Sequence, residues 1–356
     1  MRLIGLSGKK NEPVTVGAAA SSEKMNIIET IYIIAYQAVI CQEEKQMKHT
    51  EISTVNMSHE EWLRHRKNAI GGSDAATVVG LNPYGSLYEL WADKLGLIPP
   101  KEENEAMRIG HDLEEYVAKR FTEATGKKVR RKNAIIYNDD VPFAHANVDR
   151  LIVGEDAGLE CKTTSVLNMK RFRDGEYPPN YYVQCQHYMM VTGKPKWYLA
   201  VLILGREFKW FEIARNEEDI EALSTAERDF WQLVESRTEP PVDSSKSCSD
   251  TLGVIYSDSR PDTIDISAYR MELLRREKLT AKIKEFETER DAIDNELKAF
   301  MCEAETGETN GYKVTWKPQT RRTFDAKRFA ADNPDIDLSG YYKESTTRVF
   351  KIKEDK

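Results

Sequence analysis

The chain has 356 residues, a formal net charge of −7, 40% hydrophobic residues and 31% charged residues. This length allows one large domain or two ordinary ones, and the composition fits a globular protein. The negative charge excludes a passive nucleic-acid packaging protein, which needs an overall positive surface. It leaves room for an enzyme with one local basic channel. The five cysteines form no CxxC pair, which favours reduced thiols over a zinc site.

Residues 1–56 are predicted to be a poorly ordered N-terminal extension outside the main fold. Their first part is polar and rich in Gly, Ala and Ser, and the apolar run at 31–40 is too short to span a bilayer. A signal peptide would need a basic start directly before its apolar core. We therefore expect no membrane segment and a cytoplasmic protein.

Residues 57–238 are predicted to form the main domain, which begins with helices. Ser58 followed by Glu61 matches a capping box, so a helix should run from there to about residue 68. A Gly-Gly turn then leads to a short helix that Ser73 or Asp74 would cap. Helical spacing recurs at 86–96 and most clearly at 102–125.

Three strand-like segments follow, each separated from the next by turn residues. They are residues 129–138, 142–153 and 158–165. A helix at about 180–192, a hairpin turning at Gly205 and Arg206, and a helix at 217–235 complete the domain. This alternation predicts an α/β fold with a mixed central sheet flanked by helices.

The C-terminal part has a different character. Residues 239–261 are polar and rich in Pro and Ser, which predicts a linker. Residues 262–356 are predicted to form a helical arm with a coiled-coil-like apolar stripe, followed by a small α+β region.

The pattern Asp149-x10-Glu160-Cys161-Lys162 indicates a metal site on the strands. Residues i and i+2 of a strand point to one face, so Glu160 and Lys162 should project together and Cys161 away from them. Asp149, expected in the middle of the preceding strand, joins them if the two strands pair. Carboxylates suit a hard cation such as Mg²⁺, with Mn²⁺ as a substitute. The ion would activate a water, which Lys162 would orient or help deprotonate. An ordinary surface ion pair between Glu160 and Lys162 is the alternative.

The stretch from about Trp62 to Thr238 resembles the YqaJ-type viral recombinase family, which is related to phage lambda exonuclease and belongs to the PD-(D/E)XK nuclease superfamily. Five motifs carry the resemblance, in fixed order: WLRHRKNAIGGSD at 62–74, RIGHDLEEYVAKRF at 108–121, VDR at 148–150, ECK at 160–162 and YYVQCQHYMMVTG at 181–193. The resemblance implies a restriction-endonuclease-like PD-(D/E)XK core.

The resemblance also implies roles for individual residues. Those expected to contact DNA or its terminal phosphate are Arg66, Ser73, Asn147 and Gln186. Those expected to be catalytic are Asp149, Glu160, Lys162, Glu114, Gln184 and Tyr188, with Asp149, Glu160 and Glu114 as metal ligands. Structural roles fit some of the same residues: Ser73 as a helix cap, Glu114 on a solvated helix face, and Gln184 with Tyr188 satisfying buried polar groups.

The function that the resemblance implies is a Mg²⁺-dependent 5′-to-3′ exonuclease acting on double-stranded DNA ends. Its 3′ overhangs would serve a single-strand annealing protein, the enzyme would form a trimeric ring, and the gene would belong to a phage or prophage in a bacterial host. The basic segment 127–133 suits DNA phosphates, or is ordinary surface charge. Two alternatives stay open: an endonuclease of the same fold for restriction or repair, and a catalytically inactive DNA-binding module.

Overall fold

The computed structural model describes residues 49–343 and 348–353. The chain divides into two compact units between Ile255 and Tyr256. The helices of the first unit are α1 His59–Lys67, α2 Gly72–Val78, α3 Leu87–Lys94, α4 Glu105–Thr125, α5 Pro179–Thr192, α6 Glu217–Glu235 and α7 Lys246–Ile255. Its strands are β1 His49–Ser53, β2 Val129–Arg131, β3 Ala134–Asn138, β4 His145–Asn147, β5 Arg150–Ile152, β6 Ala157–Thr164, β7 Lys196–Ile203 and β8 Glu207–Ala214.

The central sheet of the first unit has five strands in the order β2-β5-β6-β7-β8. Strands β6 and β7 are parallel, with α5 in the connection between them, and the other neighbours are antiparallel. The hairpin between β7 and β8 turns at Gly205, whose φ of 71° favours glycine. The sheet is therefore mixed, as the alternation of helical and strand-like segments predicts.

Both faces of the central sheet are covered, because alternate residues of a buried strand point to opposite sides. On one side Leu199 of β7 belongs to a cluster with Met189 of α5. On the other side Tyr198 packs with Phe121 of α4, the two ring centroids being 5.3 Å apart. This sandwich of helices around a mixed sheet confirms the predicted α/β class.

A second sheet changes the predicted N-terminal boundary. It has three antiparallel strands in the order β1-β3-β4, with His49 opposite Asn138 and Ser53 opposite Ala134. The prediction that residues 1–56 lie outside the main fold is therefore wrong for 49–53. Strand β3 needs a partner for the backbone groups on its free edge, and β1 supplies it. The rest of the predicted extension, residues 1–48, lies outside the described residues.

Two of the predicted strands are each divided. Segment 129–138 forms β2 and β3, and segment 142–153 forms β4 and β5. In both cases the first and second halves belong to different sheets. Asp149 therefore occupies the bend between β4 and β5 rather than the middle of a strand.

The predicted linker at 239–261 contains a helix that belongs to the first unit. Helix α7 buries Cys248 and Thr251. The Ser247 hydroxyl contacts the Ser86 hydroxyl at 3.1 Å, next to α3. The prediction of a linker is therefore wrong for 246–255, where three apolar side chains at helical spacing (Cys248, Leu252 and Ile255) lie against the core.

The second unit contains the predicted helical arm and the small α+β region. Its elements are α8 Arg270–Met301, β9 Thr306–Thr309, β10 Tyr312–Thr315 and α9 Ala326–Asp332. Strands β9 and β10 form an antiparallel hairpin. None of the helices within the described residues combines the length and the apolar character that crossing a membrane requires.

Candidate active site

Strand β6 carries the centre of the candidate site. Glu160 and Lys162 project to the same side, and Lys162 Nζ lies 2.6 Å from Glu160 Oε1. The Glu160 side chain is only 4% exposed, which excludes an ordinary surface ion pair. Cys161 packs on the other face of the strand, with the cluster that contains Phe121. These three side chains therefore alternate between the two faces of β6, as predicted from the sequence.

Asp149 is attached to the same strand through its side chain. Its Oδ2 accepts a hydrogen bond of 2.8 Å from the Cys161 backbone N–H. Burial and the negative charges of Glu160 and Glu114 raise the pKa of Asp149 well above its usual range. Three carboxyl groups therefore lie close enough to repel one another, and a cation among them would relieve this repulsion.

Arg150 keeps the third carboxyl group in place. Its guanidinium is 3% exposed and forms an ion pair with Glu114 of α4. It also donates to the Asp149 carbonyl at 2.8 Å and to Glu115 Oε2 at 3.0 Å. Glu114 is thus near Asp149, as expected of a ligand, but its carboxylate is engaged by Arg150. Arg150 lies in the VDR motif, but no pattern in the sequence predicts this role for it.

The residues present fit a hard divalent cation in their chemistry. Glu160 Oε2 is buried and has no hydrogen-bond partner among the described residues. The available donors are carboxylate oxygens, which Mg²⁺ prefers. Within the same part of the chain, no three His, Cys, Asp or Glu side chains are gathered closely enough to hold an ion as they stand. Glu114 would have to leave Arg150 to complete such a set.

Gln184 and Tyr188 support Glu160 from α5. Gln184 Nε2 donates to Glu160 Oε1 and to the Tyr188 oxygen, each at 2.8 Å. Both side chains are buried, and their spacing of four residues places them on one helix face. These bonds occupy one oxygen of Glu160 and leave the other as the free acceptor.

Lys162 is surrounded by groups that favour its charged form. Its Nζ lies 5.5 Å from the centroid of the Tyr181 ring, within the range of a cation–π contact. Burial alone would lower the pKa of Lys162, but the charges of Glu160 and Asp149 outweigh burial and raise it above its ordinary value. In this arrangement Lys162 is a hydrogen-bond donor.

A second polar group lies where α1 meets α2. Arg66 Nη2 donates to Ser73 Oγ at 3.2 Å, and the Arg66 guanidinium stacks 5.0 Å from the Trp62 ring centroid. The Arg66 side chain is 37% exposed and Ser73 is exposed, so both are open to a ligand. Gly71 rather than Ser73 is the N-cap of α2, and Asp74 Oδ2 accepts a bond from its N–H at 3.0 Å.

Comparison with known proteins agrees with these motifs. The family model described as "YqaJ-like viral recombinase domain" matches residues 61–195. The protein YqaJ of Bacillus subtilis (strain 168) is 40% identical over 315 residues, which are 86% of this chain and 98% of that protein. The chain belongs to the YqaJ-like viral recombinase family.

Two solved structures are also similar to this YqaJ-like chain. The alkaline exonuclease LHK-Exo from Laribacter hongkongensis is 22% identical, with a TM-score of 0.44, covering 50% of this chain and 93% of that one. A phage-related exonuclease from Haemophilus somnus 129PT is 14% identical, with a TM-score of 0.40, covering 48% of this chain and 96% of that one.

The two predicted DNA contacts outside the Arg66 group have different outcomes in this YqaJ-like chain. Asn147 is exposed at the end of β4, so its predicted contact with phosphate stays a prediction. Gln186 is 1% exposed. Its amide donates to the Ala214 carbonyl at 2.8 Å and accepts from the Asn216 N–H at 3.1 Å. The prediction that Gln186 contacts DNA is wrong, because both ends of its amide are engaged in joining β8 to α6.

Proposed function

We propose that this YqaJ-like chain is a metal-dependent 5′-to-3′ exonuclease acting on the ends of double-stranded DNA, leaving 3′ single-stranded overhangs. The observation that carries the proposal is the set formed by Asp149, Glu160 and Lys162. Asp149 is bonded to the backbone of the strand from which the other two project. Membership of the viral recombinase family supports this chemistry over a structural role for the set.

Asp149 and Glu160 would hold Mg²⁺ or Mn²⁺, and Glu114 would join them on leaving Arg150. When bound, such an ion polarises a phosphate oxygen and lowers the pKa of a water. Gln184 fixes Glu160 by occupying one of its oxygens, so that the second oxygen keeps a constant direction. Tyr188 fixes Gln184 in turn.

Lys162 supplies the positive charge of the protein at the reacting phosphate. Its ammonium is positioned by Glu160 on one side and by the Tyr181 ring on the other. From there it donates an N–H to a phosphodiester oxygen and offsets the charge that develops during hydrolysis. It also orients the attacking water by donating a hydrogen bond to it.

Arg66 and Ser73 would bind the terminal 5′ phosphate. A guanidinium and a hydroxyl that already contact each other at an exposed position offer donors to phosphate oxygens. Gly72, the residue before Ser73, packs its backbone against the Tyr188 ring, and Tyr188 is hydrogen-bonded to Gln184. This contact connects the proposed phosphate site to the residues that support Glu160.

The proposal is tested with Lys162→Ala on end-labelled linear duplexes in the presence and absence of Mg²⁺. We expect the wild-type protein to release nucleotides only with the metal, and the variant to lose about 10²–10³-fold in rate while still binding DNA. The matched control is Lys119→Ala on α4, whose side chain is 71% exposed and pairs with nearby Glu123. Cleavage by Lys162→Ala at the wild-type rate would contradict the assignment.

Two further substrates separate the alternatives. An exonuclease spares a covalently closed circular duplex and an endonuclease of the same fold cuts it, so digestion of the circle would contradict the proposal. Strands labelled at the 5′ or the 3′ terminus determine polarity. An inactive DNA-binding module would bind both DNAs without cleavage and would bind Mg²⁺ poorly in calorimetry.

The proposal extends to partners on the basis of family resemblance. A single-strand annealing protein would take up the 3′ overhang, the nuclease would assemble as a trimeric ring, and both would act in the bacterial cytoplasm. Sedimentation analysis measures the oligomeric state directly. Co-sedimentation with a single-strand annealing protein tests the pairing.

A further inference from the structure

Lys94, near the end of α3, is a buried cation whose donors are all engaged. Only 1% of its side chain is exposed. Its Nζ lies 2.6 Å from the Arg66 carbonyl, 2.8 Å from the Ala69 carbonyl and 2.7 Å from Asp74 Oδ2. An ammonium has three N–H groups, so each has one acceptor. A buried charge is costly unless it is paired, and this one is fully paired.

The three acceptors of Lys94 surround the connection between α1 and α2. Arg66 lies in the last turn of α1, Ala69 follows that helix, and Asp74 lies in the first turn of α2. Asp74 Oδ2 also accepts the Gly71 N–H, which closes the turn from the inside. A single ammonium therefore fixes the backbone that presents Arg66 and Ser73.

The charges of this group have a consequence for Arg66. Asp74 is shared between Lys94 at 2.7 Å and Arg66 at 3.6 Å. Two cations share one carboxylate, so the group has one net positive charge. This charge is available on Arg66, because its side chain reaches solvent and that of Lys94 does not. Burial would raise the pKa of Asp74, but the charges of Lys94 and Arg66 outweigh it and hold the pKa well below its usual range.

We propose that Lys94 is a positioning residue for the terminal-phosphate site, which holds Arg66 beside Ser73 and leaves the Arg66 charge free for phosphate. The inference rests on the proposed role of Arg66 and Ser73. Without Lys94, Asp74 would neutralise Arg66 alone and draw the guanidinium inward. Lys94 itself touches no substrate, because its side chain is buried behind the loop.

The test compares wild-type protein with Lys94→Met, which keeps the length of the side chain and removes its charge. Binding of fluorescent duplexes with a 5′ phosphate or a 5′ hydroxyl is measured without metal, where no hydrolysis occurs. We expect the wild type to prefer the phosphate, and the ratio of the two Kd values to fall by about tenfold in the variant, as the loss of one charge-assisted contact implies. With Mg²⁺, the variant should raise KM for the phosphorylated end more than it lowers kcat.

The ratio of the two Kd values distinguishes a positioning role from a purely structural one. A loss of folded protein weakens the binding of both kinds of DNA end equally and leaves the ratio unchanged. Val234→Ala, which removes buried volume in α6 and none of the acceptors of Lys94, is the control for destabilisation and should keep the wild-type ratio. Asp74→Asn tests the same connection from the other side, keeps an acceptor for the Gly71 N–H, and replaces Lys94→Met should the latter not fold. Because it removes the negative charge that competes for Arg66 and keeps an oxygen for the Lys94 ammonium, it should raise the ratio.

The outcomes distinguish this inference from the proposed function. A wild-type Kd ratio in folded Lys94→Met or Asp74→Asn overturns the inference and leaves the nuclease intact. A wild-type protein that hydrolyses DNA without preferring the phosphorylated end overturns the role of Arg66 and Ser73 together with that of Lys94. A protein that prefers the phosphorylated end, responds to Lys94→Met and hydrolyses nothing supports the inference and contradicts the nuclease.

Discussion

At the residue scale, Gly72 connects the two halves of the candidate site, because its lack of a side chain lets the Tyr188 ring pack against its backbone. A Cβ placed on Gly72 would lie 2.4 Å from Tyr188 Cε1 and 2.7 Å from Cζ. Tyr188 accepts a hydrogen bond from the Gln184 amide, and the same amide donates to Glu160. Gly72 is therefore required by close approach rather than by its backbone angles. The proposed phosphate site at Arg66 and Ser73 and the carboxylate of Glu160 depend on the same contact.

Gly72→Ala should therefore impair both stability and activity. The added methyl group must displace the Tyr188 ring, at a cost of about 1–3 kcal/mol in the free energy of unfolding. The displaced ring releases Gln184, and we expect kcat to fall by roughly tenfold to a hundredfold. Urea unfolding and nucleotide release from linear DNA measure the two effects.

Gly253→Ala is the matched control for this substitution. Gly253 lies in α7, and a Cβ there would have no heavy atom within 4 Å. Replacing a glycine inside a helix by alanine stabilises it by about 0.5–1 kcal/mol. Equal stability and kcat in Gly72→Ala and the wild type would show that the Tyr188 contact positions nothing.

At the element scale, α5 and α6 are joined by a buried, hydrogen-bonded pair of one histidine and one glutamate. His187 Nδ1 lies 2.7 Å from Glu227 Oε1, and His187 Nε2 donates to the His145 carbonyl of β4 at 2.9 Å. Both side chains are fully buried. Burial alone would lower the pKa of His187, but Glu227 and the carbonyl outweigh it and raise it. The pair thus holds α5, the helix that carries Gln184, against its neighbours.

Glu227→Ala should destabilise the first unit strongly. Breaking a buried pair leaves the remaining partner without compensation and costs about 3–5 kcal/mol. Glu221→Ala, the same change at an exposed position of α6, should stay within about 0.5 kcal/mol of the wild type. Denaturant unfolding measures the stability of the wild type and the two variants. If Glu227→Ala and the wild type have the same unfolding midpoint, His187 does not need Glu227 as a hydrogen-bond partner.

At the scale of the whole molecule, almost all of the core belongs to the first unit. Among the described residues, Met301 is the one buried hydrophobic residue beyond Ile255. The apolar side chains along α8 are instead exposed, among them Ile283, Phe286 and Phe300. The stability of the first unit should therefore not depend on the second.

Ending the chain after Ile255 should leave a folded protein. The buried clusters and both sheets of the first unit are complete without residues 256–356. We expect cooperative thermal unfolding and an unchanged near-ultraviolet circular dichroism signal for the aromatic core. A non-cooperative transition or aggregation at all temperatures would show that the second unit is needed for folding.

The sequence alone predicted the features that depend on local physics. The helix at Glu217–Glu235 and the shared face of Glu160 and Lys162 follow from periodicities that act over a few residues. The grouping of Arg66 with Ser73 came instead from the family resemblance, and the two side chains lie 3.2 Å apart. These predictions needed no knowledge of which distant segments meet.

Only the tertiary structure decided which segments pair and which polar side chains are enclosed. Segments 129–138 and 142–153 each divide between two sheets, because their halves find different partners far along the chain. Gln184 faces Glu160, whereas Gln186, two positions away on α5, joins β8 to α6. The proposed role of Lys94 was missed for the same reason. Its hydrogen-bond partners lie 20 to 28 residues earlier in the chain, and no pattern in its own segment indicates that it is buried against them.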